Sequence, residues 1–254
     1  MTDDTPTAPP ADDPSAAIEA LVDLDDLDDA GPWDHLAIAL DVDDVVAALR
    51  LAGELRPFFR VAKVGLELYS AVGPDVVGGL INLGYDVFCD LKLHDIPNTV
   101  NKASRVIGAL GAAYLNVHTS AGLDVVKAGV DGFLDGADRA GLAAPMMLGV
   151  TVLTSDAESS EAVLRQRLGV AIEAGCGGVV CSAPDLGTVR ELGPALFTVV
   201  PGIRPEGSAP DDQARVATPR AAIDAGADLL VVGRPVTQAP DPEAAAVAIV
   251  ESLS

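Results

Sequence analysis

The chain is poor in residues that usually anchor cores and metals. Among its 254 residues are one tryptophan, three tyrosines, five phenylalanines, three histidines and three cysteines. With so few aromatics, a large core has to be built from Ala, Val, Leu and Ile, and nearly half the chain is hydrophobic. Cys89, Cys176 and Cys181 are odd in number, lie in or beside apolar runs and fit no metal spacing. They are expected as buried, reduced thiols. His35, His94 and His118 form no pair at metal-ligand spacing, and no Ser/His/Asp elbow is present. No apolar run reaches the length of a membrane span, and the acidic N-terminus lacks the cationic start and apolar core of a signal peptide. A cytoplasmic location is expected.

Positive charge is also scarce. Sixteen basic residues against 38 acidic ones give a net charge of −22, which repels nucleic acid and anionic membranes. Such a surface suits a salty medium, where repulsion is screened. Only four lysines occur, Lys63, Lys92, Lys102 and Lys127. Two of them, Lys63 and Lys92, fall in or at the ends of apolar segments, where a solvated surface residue is not expected.

Residues 1–31, rich in Asp, Pro, Ala and Thr, read as an acidic, flexible extension. Residues 32–254 read as one domain. Short apolar runs alternate with segments of helical period: 36–41, 61–64, 86–91, 113–118, 146–153, 178–181, 197–200 and 228–232 as strands, with helices such as 67–83, 100–110 and 124–140 between them. Eight such repeats predict an α/β fold, a parallel (β/α)8 TIM barrel with outer helices. A doubly wound open sheet lacks support, because no glycine-rich dinucleotide fingerprint follows the first strand.

In such a barrel the site lies at the C-terminal ends of the strands. Polar residues recur there: Asp41, Lys63, Asp90 and Lys92, Asn116 and His118, Thr154 and Ser155, Arg204, and Gly233-Arg234. Residues two apart on a strand share a face, so Asp90 and Lys92 project together with Phe88. A carboxylate and an ammonium ending a buried strand are costly unless paired or functional. Asp95 or Thr99 reads as a helix cap beside Pro97, the favoured reading for Asp95 taken alone, and His118 reads as a satisfied core histidine. The loops after the seventh and eighth strands, with Arg204, Gln213, Gly233 and Arg234, suit a phosphate. The segment 202–213 has the length of a lid. With no metal set in view, the chemistry falls to Asp and Lys. Neighbouring carboxylates hold a lysine in its charged form, which favours a proton donor over a Schiff-base amine.

The run Asp90-Leu-Lys-Leu-His-Asp-Ile-Pro-Asn-Thr99 resembles the signature of the orotidine 5′-phosphate decarboxylase family. The resemblance extends through Ala39-Leu40-Asp41, Lys63-Val64-Gly65-Leu66-Glu67, Asn116-Val117-His118, Leu153-Thr154-Ser155, Pro201-Gly202-Ile203-Arg204, Asp212-Gln213 and Val232-Gly233-Arg234. It implies conversion of orotidine 5′-monophosphate to uridine 5′-monophosphate and CO2 in pyrimidine biosynthesis, without cofactor or metal. It implies Lys92 as proton donor to C6, in a charged network of Lys63, Asp90, Lys92 and Asp95. It also implies a homodimer, with Asp95 and Thr99 crossing to the partner's site. Asp41 and Lys63 would hold the ribose, and Thr154 the pyrimidine edge. Gln213, Gly233 and Arg234 would hold the phosphate, with Arg204 near the closing loop. Ile96 joins the substrate-binding set. The rivals are Mg²⁺-dependent 3-keto-gulonate-phosphate decarboxylases and hexulose-phosphate synthases, which share the Asp-x-Lys-x-x-Asp pattern but carry Glu where this chain has Lys63. A non-catalytic nucleotide-binding barrel is a rival of another class.

Overall fold

The computed structural model describes residues 31–152, 160–205 and 216–253. Eight parallel strands close into a barrel, each paired with the next and β1 paired with β8. They are β1 (Leu36–Leu40), β2 (Val61–Gly65), β3 (Asp86–Leu93), β4 (Tyr114–His118), β5 (Met146–Val150), β6 (Gly178–Val180), β7 (Phe197–Val200) and β8 (Leu229–Val232). The helices are α1 (Val45–Leu55), α2 (Leu66–Val72), α3 (Asp75–Asn82), α4 (Pro97–Ala109), α5 (Leu123–Arg139), α6 (Glu161–Glu173), α7 (Leu186–Leu192), α8 (Pro219–Asp224), α9 (Arg234–Thr237) and α10 (Pro242–Glu251). The expected (β/α)8 barrel is therefore the observed architecture. The acidic extension expected over 1–31 lies, apart from Gly31, outside the described residues.

Strand alternation splits the core in two, as a closed parallel sheet covered by helices requires. Ala37, Val61, Phe88, Leu148, Val199 and Leu229 point into the barrel. Leu36, Ile38, Ala62, Cys89, Leu115 and Val179 point out against the helices. Tyr114 stacks on Phe197 with centroids 6.0 Å apart and meets Phe88 edge-on at 6.3 Å, plugging the interior with three of the few aromatics. All three cysteines are buried and free, with burial pushing each thiol up to about 12.

Helix starts follow the side chains available. Asp44, Thr218 and Asp241 accept backbone N–H groups of Ala47, Ala221 and Ala244 at 2.7, 3.3 and 3.0 Å. The single helix expected over 67–83 is two, α2 and α3, because Gly73-Pro74 interrupts it and proline cannot donate into a continuing helix. The strand expected to run to Leu153 ends at Val150, and the one expected to stop at Leu91 continues to Leu93.

Helices α4 and α5 approach until backbone meets backbone. A Cβ on Gly132 or Gly136 would run into the main-chain carbonyl of Asn101 or Arg105, and one on Gly108 into that of Phe133. Main chain inside a helix cannot step aside as a side-chain tip can. Gly136→Ala should lower stability by about 1–3 kcal/mol, as overpacking does. Gly169→Ala on α6, where a Cβ meets open space, should raise it by about 0.5–1 kcal/mol. Urea unfolding of both variants beside the parent checks the contrast; equal midpoints would refute it.

Candidate active site

A cavity of about 350 Å³ opens at the C-terminal end of the barrel. Ala39, Phe88 and Val231 from the barrel interior line its floor. Asp41, Lys63, Asp90 and Lys92 enter from β1 to β3, and Arg204, Gly233 and Arg234 from the segments after β7 and β8. Phe88, Asp90 and Lys92 line it together, as the two-residue period requires.

The charged groups form a chain. Lys63 Nζ donates to Asp41 Oδ1 at 3.0 Å and lies 3.4 Å from Asp90 Oδ2. Lys92 Nζ donates to Asp90 Oδ1 at 2.6 Å. Asp90 and Lys63 are nearly enclosed, with side chains 14% and 9% exposed. Burial by itself would raise the Asp90 pKa. The charges of Lys63 and Lys92, with hydrogen bonds from Lys92 and Asn116, outweigh it and hold the carboxyl below its ordinary value. Two ammonium groups thus keep one carboxylate ionised in a half-dry pocket, the state in which it can repel another carboxylate.

Gly65, at the end of β2, is part of this arrangement. A Cβ there would lie 2.9 Å from Asp41 Oδ1 and 3.3 Å from Lys63 Nζ, so the pair fits only against bare backbone. Sequence reasoning gave Gly65 no role; the signal was a glycine two residues past a buried lysine. Nor was a role assigned to Asn116, a fully buried polar residue within an apolar strand. Its Nδ2 donates to Asp90 Oδ1 and its Oδ1 accepts the Lys92 N–H, both at 2.7 Å.

Arg204 is buried, lines the cavity and donates to the Ile203 carbonyl at 2.9 Å. A bridge between Ile203 and Ala217 ties together the chain on either side of residues 206–215. Arg234 is half-buried at the start of α9 and also lines the cavity. Thr154, Ser155 and Gln213, and with Gln213 most of the segment read as a lid, lie outside the described residues.

Asp95, Ile96 and Thr99 are absent from this cavity's lining among the described residues. Residues 94–99 are exposed, Ile96 at 64%. The reading of Asp95 or Thr99 as a helix cap is corrected: the N-cap of α4 is Ile96, with no side-chain cap bond, and Asp95 Oδ1 accepts its neighbour's N–H at 2.6 Å. Pro97 at the first helical position has no N–H to cap, which lowers the demand for a capping side chain. His118 is not enclosed in the core either. It is half-buried, its ring centroid 5.6 Å from that of exposed His94. Burial, then the nearby His94, Lys92 and Arg167, push its pKa down, against a smaller upward pull from Asp90.

Comparison with known proteins agrees with this geometry. Residues 34–249 match the family model described as orotidine 5′-phosphate decarboxylase / HUMPS family. The orotidine 5′-phosphate decarboxylase of Anaeromyxobacter dehalogenans is 46% identical over 233 residues, covering 87% of this chain and 99% of that protein. That of Thermobifida fusca is 45% identical over 233 residues, covering 86% of this chain and 95% of that protein. Among solved structures, orotidine 5′-phosphate decarboxylase from Lactobacillus acidophilus superposes with a TM-score of 0.70 at 36% identity, over 86% of this chain and 98% of that one.

Proposed function

Because the chain belongs to the orotidine 5′-phosphate decarboxylase / HUMPS family, we propose that Lys92 supplies the proton that replaces the carboxyl group of orotidine 5′-monophosphate. The protein is an orotidine 5′-phosphate decarboxylase of pyrimidine biosynthesis, releasing CO2 and leaving uridine 5′-monophosphate. The observation that carries the mechanism is the single contact of 2.6 Å between Lys92 Nζ and Asp90 Oδ1.

An ionised carboxylate at Asp90 beside the substrate carboxylate disfavours the bound ground state. An ammonium next to the same point favours the carbanion left when CO2 departs. The C–CO2 bond breaks with its electron pair staying on C6, and the Lys92 proton is transferred to that carbon. Lys63 keeps Asp90 charged and, with Asp41, offers the ribose hydroxyls a donor and an acceptor. Arg204 and Arg234 carry the charge for the phosphate, with the Gly233 backbone beside them and Gln213 assigned there by the family pattern. Thr154 is assigned to the pyrimidine edge on the same ground.

The Mg²⁺-dependent rivals need carboxylates free to ligate. Here Asp41 and Asp90 are already bridged by the Lys63 ammonium, at 3.0 and 3.4 Å, and a second cation has no place between them. Following turnover of orotidine 5′-monophosphate by ultraviolet absorbance, in excess EDTA and at low and high salt, tests this. We expect conversion that EDTA leaves unchanged. Activity restored only by Mg²⁺, or none from folded protein at either salt, would overturn the metal-free reading.

The protein works as a homodimer in this reading, with Asp95 and Thr99 completing the partner's site. Their exposure outside their own chain's cavity, next to Ile96 at 64% exposed, supports it, as does the exposure of Leu66, at 59%, in the cavity lining. Among the described residues no helix is long and apolar enough to cross a membrane. That, the net charge of −22 and the biosynthetic role support a cytoplasmic enzyme that engages neither membrane nor nucleic acid.

A further inference from the structure

The ladder between β3 and β4 is irregular where the chemistry sits. Cys89 lies opposite Leu115 and Leu93 opposite Val117, so Asp90, Leu91 and Lys92 together face the single residue Asn116. A bulge of this kind leaves backbone groups without ladder partners. Lys92 is also the one non-glycine residue with a positive φ among the described residues, at 49°. A side chain there is strained against its own backbone and persists only where surrounding contacts hold it.

Asn116 provides that hold. It is fully buried, and its side-chain oxygen accepts the Lys92 N–H at 2.7 Å, satisfying a main-chain donor in the bulge. Its amide nitrogen donates to Asp90 Oδ1 at 2.7 Å, the same oxygen that receives Lys92 Nζ at 2.6 Å. One rigid planar group therefore fixes the backbone of the lysine and the carboxylate it faces. Only an amide with oxygen toward the N–H and nitrogen toward the carboxylate satisfies both bonds.

We propose that Asn116 is a positioning residue for the decarboxylation, setting the Lys92 backbone and the Asp90 carboxylate in one register so that the ammonium meets the reacting carbon. The proposal rests on the assignment of Lys92 as proton donor. It ascribes no contact with substrate to Asn116.

Two variants test it. Asn116→Leu has similar shape and neither hydrogen bond. It should lower kcat by about 10²-fold, the scale of a displacement near 1 Å, with KM and the uridine 5′-monophosphate Kd close to the parent's. Asn116→Asp keeps the acceptor but has a donor only when protonated. Burial and the Asp90 charge raise the pKa of such a carboxyl, against pulls from Lys63, Lys92 and His118. Its kcat should approach the parent's at low pH and fall as pH rises, giving a reversible descending limb that the parent lacks, with circular dichroism unchanged across the range. A role in stability alone predicts no such limb. Parent-like kcat in folded Asn116→Leu, or an Asn116→Asp profile parallel to the parent's, would overturn the proposal. Failure of both variants to fold would also overturn it, assigning Asn116 to stability. If only the leucine variant fails to fold, the aspartate profile decides. Parent and Lys92→Ala enter the same assay: turnover persisting without Lys92 defeats the proton-donor reading, whereas loss there with no effect at Asn116 defeats this inference alone.

Discussion

Lys92→Ala should abolish turnover while leaving a nucleotide-binding barrel. Loss of a positioned general acid alone costs about 10²–10⁴-fold. Removing the ammonium that stabilises the developing carbanion adds about 10²–10³-fold more. We therefore expect kcat to fall by at least about 10⁴-fold. Binding of uridine 5′-monophosphate should change little, because that ligand has no carboxylate to meet Asp90 and its phosphate and ribose contacts lie elsewhere. Asp90 loses its shortest partner but keeps Lys63 at 3.4 Å and Asn116 at 2.7 Å. Two of the influences that hold its carboxyl below the ordinary value vanish, so its pKa rises in the variant. A carboxyl with a depressed folded-state pKa stabilises the fold above its unfolded pKa, and that contribution fades as pH falls through the folded one. The parent should therefore resist acid better than Lys92→Ala in the same window. Single-turnover kinetics, nucleotide titration calorimetry and unfolding against pH read the three effects separately. Turnover near the parent's would remove Lys92 from the chemistry.

How far the sequence carried depends on what each feature requires. The barrel was legible because a parallel strand buried on both faces must be continuously apolar, and eight such runs alternate with helical segments. The Asp90–Lys92 pair was legible because a period of two needs no partner strand to put both residues, with Phe88, on the cavity side. The place of Asn116 at the end of the fourth strand was legible too, but its role was not, because that role depends on three residues of β3 standing against one of β4. A regular ladder assumed from sequence gives it no reason to reach both Asp90 and the Lys92 N–H. Gly65 escaped for a similar reason, since its need to be bare is set by side chains from two other positions, Asp41 and Lys63. Asp95 was ambiguous because cap and catalytic carboxylate look alike in one dimension. The absence of a side-chain cap bond on α4 removes the first reading. The two arginines were placed correctly at the ends of β7 and β8, whereas Gln213 and Thr154 fall in the stretches beyond the described residues.

If Asp95 completes the partner's site, two dead proteins should make a live one. Asp95→Ala and Lys92→Ala are each expected to be inactive, since every site in either homodimer lacks one member of the charged network. Mixed in equal amounts and allowed to exchange, half the dimers should be hybrids under random association. Each hybrid holds one site with both residues lost and one with both retained, so activity should return to about a quarter of the parent's per site. A network confined to one chain predicts no recovery at any mixing ratio, because no single chain then carries both residues. The exposed Asp95 carboxylate favours the shared site: among the described residues of its own chain it accepts only its neighbour's N–H, at 2.6 Å, while Asp90 and Lys92 are drawn inward by Lys63 and Asn116. Salt gives a second handle. With a net charge of −22 on each chain, two copies repel, and screening should raise the yield of hybrids and of recovered activity together. Recovery that fails in hybrids verified by native mass spectrometry would confine the catalytic network to one subunit.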